Sequence, residues 1–238
     1  DRGASDLTVA GKLFCDRFPP DKIPALPTCG IFLRREFPLK NNLEFPEGIH
    51  PCEDGLFSHF VLALTEKISF CPEAVYHYRQ HEQGNHHQIR KRTADILPMI
   101  PRWLSLIEEF YEQRHLWKRK AGHLVRFIEH EPFELRLLGM PFSPPEQEIL
   151  YSIIRDFLNA HCTAAECRRA SLHLPFRLLL KSSGFSDFGR RLRRAGKNTG
   201  IRRKLLHFCP VPSWRRNGRA RLRQVREQLE EIRRNITF

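Results

Sequence analysis

NLEFPEGIHPCEDGLF, residues 42–57, marks the point where the sequence pattern changes. Before it, the short apolar runs 29–33 and 43–45 alternate with Pro and Gly, a pattern typical of strands and loops. From Glu53 to about Leu64 the apolar residues recur instead at helical spacing. The stretch therefore predicts a Pro/Gly loop that delivers Glu53 and Asp54 to the first turn of a helix.

The rest of the chain divides into a strand-like and a helical part. Apolar runs near residues 68–70 and 75–79 predict further short strands, so a short mixed sheet is expected within residues 26–82. After residue 88 amphipathic spacing predicts helices, with Pro175 expected to kink or split the fourth; they cover residues 103–111, 117–128, 144–158, 172–179 and 222–232. We place the domain boundary near residues 85–92, giving domains 1–88 and 89–238.

The acidic pair Glu53–Asp54 has two interpretations. Carboxylates at a helix N-terminus are favoured by the helix dipole and by free backbone N–H groups, so the pair is explained by capping alone. Alternatively, one carboxylate at the mouth of a cleft removes a proton from an attacking hydroxyl as a general base. The residues by themselves leave both interpretations open.

The charge of the chain is strongly uneven. The 238 residues carry a formal charge of +13, and residues 185–223 hold 13 basic side chains against the single Asp187. Such a segment attracts anionic partners: lipid head groups, nucleic acid or an anionic polymer, although a plain solvated helix face is also possible. The residues expected at an anionic membrane surface are Arg190, Arg191, Arg193, Arg194 and Trp214.

Cysteine and histidine patterns predict neither a disulfide framework nor a metal site. The seven cysteines are dispersed and contain no C-x-x-C pair, which is typical of reduced cytosolic thiols. His77 and His81 lie four apart, but no carboxylate or thiol stands at a ligand-like offset. A membrane-spanning helix is excluded, because no run of about 18 apolar residues occurs.

Four elements in order carry a family resemblance: F-P-E-G, then E-D-x-x-F, then A-L-T-E-K-I-S-F, then V-Y-H-Y-R-Q-H-x-x-G-N. Over residues 26–90 the chain resembles the acceptor-side half of bacterial family-2 glycosyltransferases. The resemblance implies an α/β fold, the A-type fold of nucleotide-diphospho-sugar transferases, followed by a mainly helical C-terminal region. It also implies inverting transfer of a sugar from a nucleotide-diphospho-sugar to a glycan or lipid-linked acceptor in cell-envelope polysaccharide synthesis.

The resemblance assigns roles residue by residue. It makes Asp54 the general base and Glu53 its neighbour in acceptor binding, while Tyr78, Arg79 and His81 match a segment close to the family's active site. Cationic Arg79 is the best candidate to stabilise the leaving diphosphate. Strand packing for Tyr78 and a surface ion pair for Arg79 are the alternatives.

One departure from the family concerns the donor. The Asp-x-Asp motif that holds Mg²⁺ or Mn²⁺ on the donor diphosphate is absent from this sequence. We expect it in a nucleotide-binding half that precedes residue 1, so the chain alone is expected to be inactive. The expected location is the cytoplasm, peripherally on the inner face of the membrane. The competing hypothesis is a non-catalytic basic helical module that binds nucleic acid or an anionic surface.

Overall fold

The computed structural model describes residues 28–65, 92–171 and 173–205, together with positions 25, 68, 89, 223, 225, 227 and 229. Two compact units divide the chain, Asp1–Glu131 and Pro132–Phe238. The boundary expected from the sequence near residues 85–92 falls largely outside the described residues, and it stays a prediction.

The first unit is built from short and medium helices. A 3-10 turn at Thr28–Gly30 precedes α1 (Glu36–Lys40), α2 (Glu53–Leu64), α3 (Thr93–Ile96), α4 (Met99–Gln113) and α5 (Trp117–Ile128). The helix α2 contacts the 3-10 turn, α4 and α5. A π-helical segment, Glu129–Leu138, continues directly from α5.

The second unit is also helical in its described part. Its helices are α6 (Pro144–His161), α7 (Ala164–Ala170), α8 (Leu174–Lys181) and α9 (Phe185–Leu205). The helix α8 contacts α7 and α9, and α9 contacts α6. The fully buried rings of Phe133, Phe176 and Phe188 form the centre of this unit. The ring centroids of Phe133 and Phe176 are 5.0 Å apart in an edge-to-face contact.

The α/β fold class with a short mixed sheet is wrong for the part of the chain that the structure describes. Of these residues 74% are helical and none is in a strand. Residues 29–33 and 43–45, interpreted as strands, make local backbone bonds: the Ile31 amide donates to Thr28 O and the Leu43 amide to Pro38 O. A strand must pair with a second extended segment through a ladder of backbone hydrogen bonds, and apolar composition alone does not supply that second segment. The runs expected near residues 70 and 75–79 lie outside the described residues.

The helix expected from Glu53 to about Leu64 is confirmed at both ends. Its burial is wider than the predicted stripe, since every residue from Gly55 to Ala63 is buried, including Ser58 and His59. His59 lies in a polar contact inside this core, with its Nε2 3.2 Å from the Tyr111 hydroxyl. A helix that is mostly apolar all round fits such full burial.

Of the two proline signals in the second unit, one was interpreted correctly and the other was not. Two prolines open α6, where a capping box joins Ser143 and Glu146. Pro175 neither kinks nor splits a helix, because it lies in the first turn of α8. At that position proline loses no intrahelical hydrogen bond. The helix α9 was not predicted as a separate element, because its many arginines obscure the apolar stripe.

Candidate active site

The loop that ends at α2 is fixed by its backbone and by one ring stack. Cys52 is the N-cap residue in the left-handed conformation, with φ of 93°, and its carbonyl accepts the Leu56 amide at 2.9 Å. Gly48 also has a positive φ, 66°, and the His50–Pro51 peptide bond is cis. The loop ring of Phe45 stacks on Phe57 of α2 at 4.1 Å. The sequence thus sets the direction from which the chain enters the helix.

Both carboxylates of the acidic pair are oriented by side chains. Thr28 Oγ1 donates to Asp54 Oδ1 at 2.7 Å, and His50 Nδ1 lies 3.1 Å from Glu53 Oε1. Among the described residues these carboxylates do not bond the amides of their own helix, as simple caps would. The first-turn amides keep their attraction for negative charge through the helix dipole. The arrangement therefore places two oriented carboxylates at one helix start.

The two carboxylates differ in exposure. Asp54 is exposed, so a hydroxyl from solvent or from a bound molecule can reach it. The Glu53 side chain is 34% exposed, but its Oε2 atom is buried and has no hydrogen-bond partner among the described residues. Because this oxygen has no contact with solvent, a hydroxyl from outside reaches Glu53 only at the exposed remainder of its side chain. This geometry allows Asp54 to accept a proton and Glu53 to bind a hydroxyl group.

The first turn of α2 is packed tightly on its inner side. A Cβ atom added at Gly55 would lie 3.1 Å from Cys52 Sγ and 3.1 Å from Glu131 Oε1. Glu131 is itself buried. A larger residue at this position would require Cys52 or Glu131 to shift by a few tenths of an ångström, so glycine fits the close packing here.

Three residues that contact the acidic pair or the loop before it were not predicted from the sequence. The spacing of His50 and Glu53, three residues apart, was visible in the sequence and could have indicated their contact. Thr28 lies 26 residues from Asp54, and no local pattern joins them. The guanidinium of Arg102, on α4, lies about 3.5 Å from the position that a Cβ of Gly48 would occupy, so a cation contacts the F-P-E-G loop. This contact depends on how the helices pack.

Four of the expected site residues lie outside the described residues: Tyr78, Arg79, His81 and Trp214. Their proximity to Glu53 and Asp54 stays a prediction.

The expected basic surface lies on α9. Exposed cations occur at positions 190, 193, 194 and 197, whose spacing of three and four places them on one helix face. The opposite face is buried through Phe185, Phe188 and Leu192. We call the exposed set Arg190, Arg193, Arg194 and Lys197 the basic face. Arg191 lies beside this face and is half-buried.

One carboxylate limits the charge of the basic face. Arg191 Nε donates to Asp187 at 2.7 Å and Arg190 Nη2 at 3.3 Å. The Arg191 hydrogen bond and the Ser183 amide hold the pKa of Asp187 at about 2, below its ordinary value of 3.8. Asp187 therefore stays ionised at neutral pH and offsets part of the charge of Arg190 and Arg191.

Neither metal ligation nor membrane crossing is visible in the described ranges. No three His, Cys, Asp or Glu side chains come together there as ligands for a metal ion. None of the helices in these ranges combines the length and the apolar composition needed to cross a bilayer. No protein-family profile matches the chain, and no curated protein or solved structure is significantly similar to it.

Proposed function

We propose that the chain is the acceptor-side part of an inverting glycosyltransferase that moves a sugar from a nucleotide-diphospho-sugar to a glycan or lipid-linked acceptor. The observation that supports this most is the exposed Asp54 carboxylate, held by Thr28 Oγ1 at 2.7 Å in the first turn of α2. The four ordered sequence elements that resemble family-2 glycosyltransferases supply the reaction class. Synthesis of a cell-envelope polysaccharide is the proposed setting.

In this proposal Asp54 is the general base. It takes the proton from an acceptor hydroxyl while that oxygen attacks the anomeric carbon from the face opposite the nucleotide diphosphate. The Thr28 hydrogen bond fixes one carboxylate oxygen and leaves Asp54 Oδ2 to point at the substrate. General-base catalysis of this kind contributes roughly 100- to 10,000-fold to a rate.

Glu53 binds the acceptor rather than taking its proton. Its side chain is 34% exposed, and its carboxylate, oriented by the contact of Oε1 with His50, accepts a hydrogen bond from a second hydroxyl of the acceptor sugar. This division of roles predicts that loss of Glu53 weakens acceptor binding more than turnover.

The donor side is assigned to residues outside the described ranges. Arg79, with Tyr78 and His81, is proposed to stabilise the diphosphate as its charge grows. The described residues hold no set of three metal ligands, so no step is assigned to a metal held by this part of the chain. Residues in a separate nucleotide-binding half are proposed to bind the donor and the divalent cation.

The product's stereochemistry tests the proposed reaction. The enzyme comprising this chain and the proposed nucleotide-binding half is incubated with a panel of nucleotide-diphospho-sugars and acceptor glycans. The anomeric configuration of each product is then read by proton NMR. A single displacement inverts that configuration, so every glycoside formed must be inverted relative to its donor. A product of retained configuration would contradict the mechanism, since one base cannot give retention.

A second proposed activity is contact with an anionic membrane surface through the basic face of α9. The observation that favours it is the common exposure of Arg190, Arg193, Arg194 and Lys197 on one side of the helix. Each Lys or Arg near such a surface contributes about 1 kcal/mol. The enzyme would then work peripherally on the cytoplasmic side of the membrane, near lipid-linked acceptors. Nucleic acid makes the same electrostatic demand and is the competing partner.

A further inference from the structure

An exposed aromatic ring, Phe45, lies in the loop that leads to the acidic pair. It stacks on Phe57 of α2, with ring centroids 4.1 Å apart and ring planes at 9° to each other. Phe57 covers one face of the Phe45 ring, and 49% of the Phe45 surface remains exposed. An aromatic ring has a second face, which this stack leaves open to solvent.

The loop holds the Phe45 ring in place from both sides. Leu43 before it and Ile49 after it are buried, so they anchor the two ends of the loop. Pro46 follows Phe45 directly, and a residue before proline is restricted to extended backbone. A ring that is fixed in this way loses little freedom when a ligand covers it, which reduces the entropic cost of binding.

The ring lies on the same side of α2 as the acceptor carboxylate. Asp54 and Phe57 are three residues apart in this helix, so their Cβ atoms are neighbours at about 5–6 Å on one face. Phe45 stacks directly on Phe57, and both Phe45 and Asp54 are exposed. A ligand that covers the Phe45 ring therefore lies beside the Asp54 carboxylate.

The charge around the ring selects the kind of ligand. Residues 44–54 hold four carboxylates: Glu44, Glu47, Glu53 and Asp54. Like charge disfavours an anionic ligand such as a phospholipid head group at this place. A neutral pyranose fits, because its hydroxyls donate to carboxylates and its C–H bonds contact the negative face of an aromatic ring. Aromatic surface with a few oriented polar groups is also the usual composition of a small-ligand site.

We propose that Phe45 is the platform on which the terminal pyranose of the acceptor stacks. The inference rests on the proposed sugar transfer and names the part of the acceptor that this chain binds. The sugar places a face of C–H bonds on the free side of the Phe45 ring while its hydroxyls meet Glu53 and Asp54. The acceptor is therefore bound through its sugar ring rather than through a lipid chain.

Saturation-transfer NMR on the chain tests the platform without donor or turnover. The probes are the methyl β-glycosides of glucose, galactose, mannose and N-acetylglucosamine. Saturation of the protein's aromatic protons should pass to the ring C–H protons of at least one probe. Phe45→Leu keeps an apolar side chain but loses the flat ring, so it should weaken binding of that probe about tenfold. Phe45→Tyr keeps the ring and should bind like wild type.

The matched control is Ile149→Ala, at an apolar side chain of the second unit with a similar exposed fraction, 51%. It should leave sugar binding unchanged. The proposal is overturned if none of the four glycosides receives saturation, or if Phe45→Leu binds them as well as wild type does. Loss of binding in Phe45→Tyr equal to that in Phe45→Leu overturns it too. Binding of tetramethylammonium without binding of any sugar would assign the ring to a cation instead.

Failure of the platform and failure of the proposed sugar transfer give different results. An inverted product whose acceptor KM does not change in Phe45→Leu would reject the platform and leave the transfer mechanism standing. Sugar binding that depends on the Phe45 ring, together with a retained product, would reject the mechanism and leave the platform standing.

Discussion

Neutralising three cations of the basic face should release the chain from anionic membranes. The variant Arg193→Gln/Arg194→Gln/Lys197→Gln removes three positive charges from the part of the basic face farthest from Asp187. We leave Arg190 in place because Asp187 already offsets its charge at 3.3 Å. At about 1 kcal/mol for each charge near the surface, the three substitutions together remove roughly 3 kcal/mol, which is roughly 150-fold in partitioning.

Vesicle cosedimentation measures this effect. Wild type should bind vesicles that contain phosphatidylserine and not neutral vesicles, and binding should weaken as salt rises. The matched control is Arg34→Gln/Arg35→Gln/Lys118→Gln, which removes the same charge from exposed positions of the first unit. The control should bind like wild type. Equal loss in both triple variants would refute a localised basic face, and tight, salt-sensitive binding to nucleic acid without binding to vesicles would favour the competing partner.

Three further predictions concern stability and the acidic pair. Phe176→Ala, at a fully buried ring, should cost about 3–5 kcal/mol in urea unfolding, and a loss below about 1 kcal/mol would contradict the packing. Glu146→Ala should destabilise by about 1 kcal/mol at pH 7, because the Ser143 hydrogen bonds lower the pKa of Glu146 and that contribution is full only above its ordinary value of 4.5. The difference in melting temperature between wild type and Glu146→Ala should shrink as pH falls below that value. A difference that stays constant with pH would show that ionisation of Glu146 does not contribute to stability. Thr28→Val should lower sugar transfer about tenfold without lowering the melting temperature, because Asp54 loses its orienting bond, and unchanged transfer would dismiss that role.

Local sequence signals predicted several of the helices. The start of α2 at Glu53 followed from the shift to helical spacing, and the start of α6 from its paired prolines. Such signals act within one or two helical turns, so a helix start can be predicted from them without knowing the rest of the fold. The acidic pair was placed correctly at a helix start for the same reason.

Features that depend on distant contacts escaped prediction. Residues 29–33 have the composition of a strand, but they form a 3-10 turn and loop whose Thr28 side chain reaches Asp54. Composition does not say which segment a backbone will pair with, and here the backbone bonds remain local.

The central claim is that Asp54 removes the proton from the attacking hydroxyl, and Asp54→Asn tests it most directly. Asparagine keeps the shape and the Thr28 contact but accepts no proton. The matched control is Asp156→Asn, at an exposed aspartate of α6. In the enzyme that unites this chain with the proposed nucleotide-binding half, kcat for sugar transfer should fall roughly 100- to 10,000-fold in Asp54→Asn and stay unchanged in the control. A kcat of Asp54→Asn within about threefold of wild type, with folding intact, would contradict the claim, since a general base is worth at least roughly 100-fold.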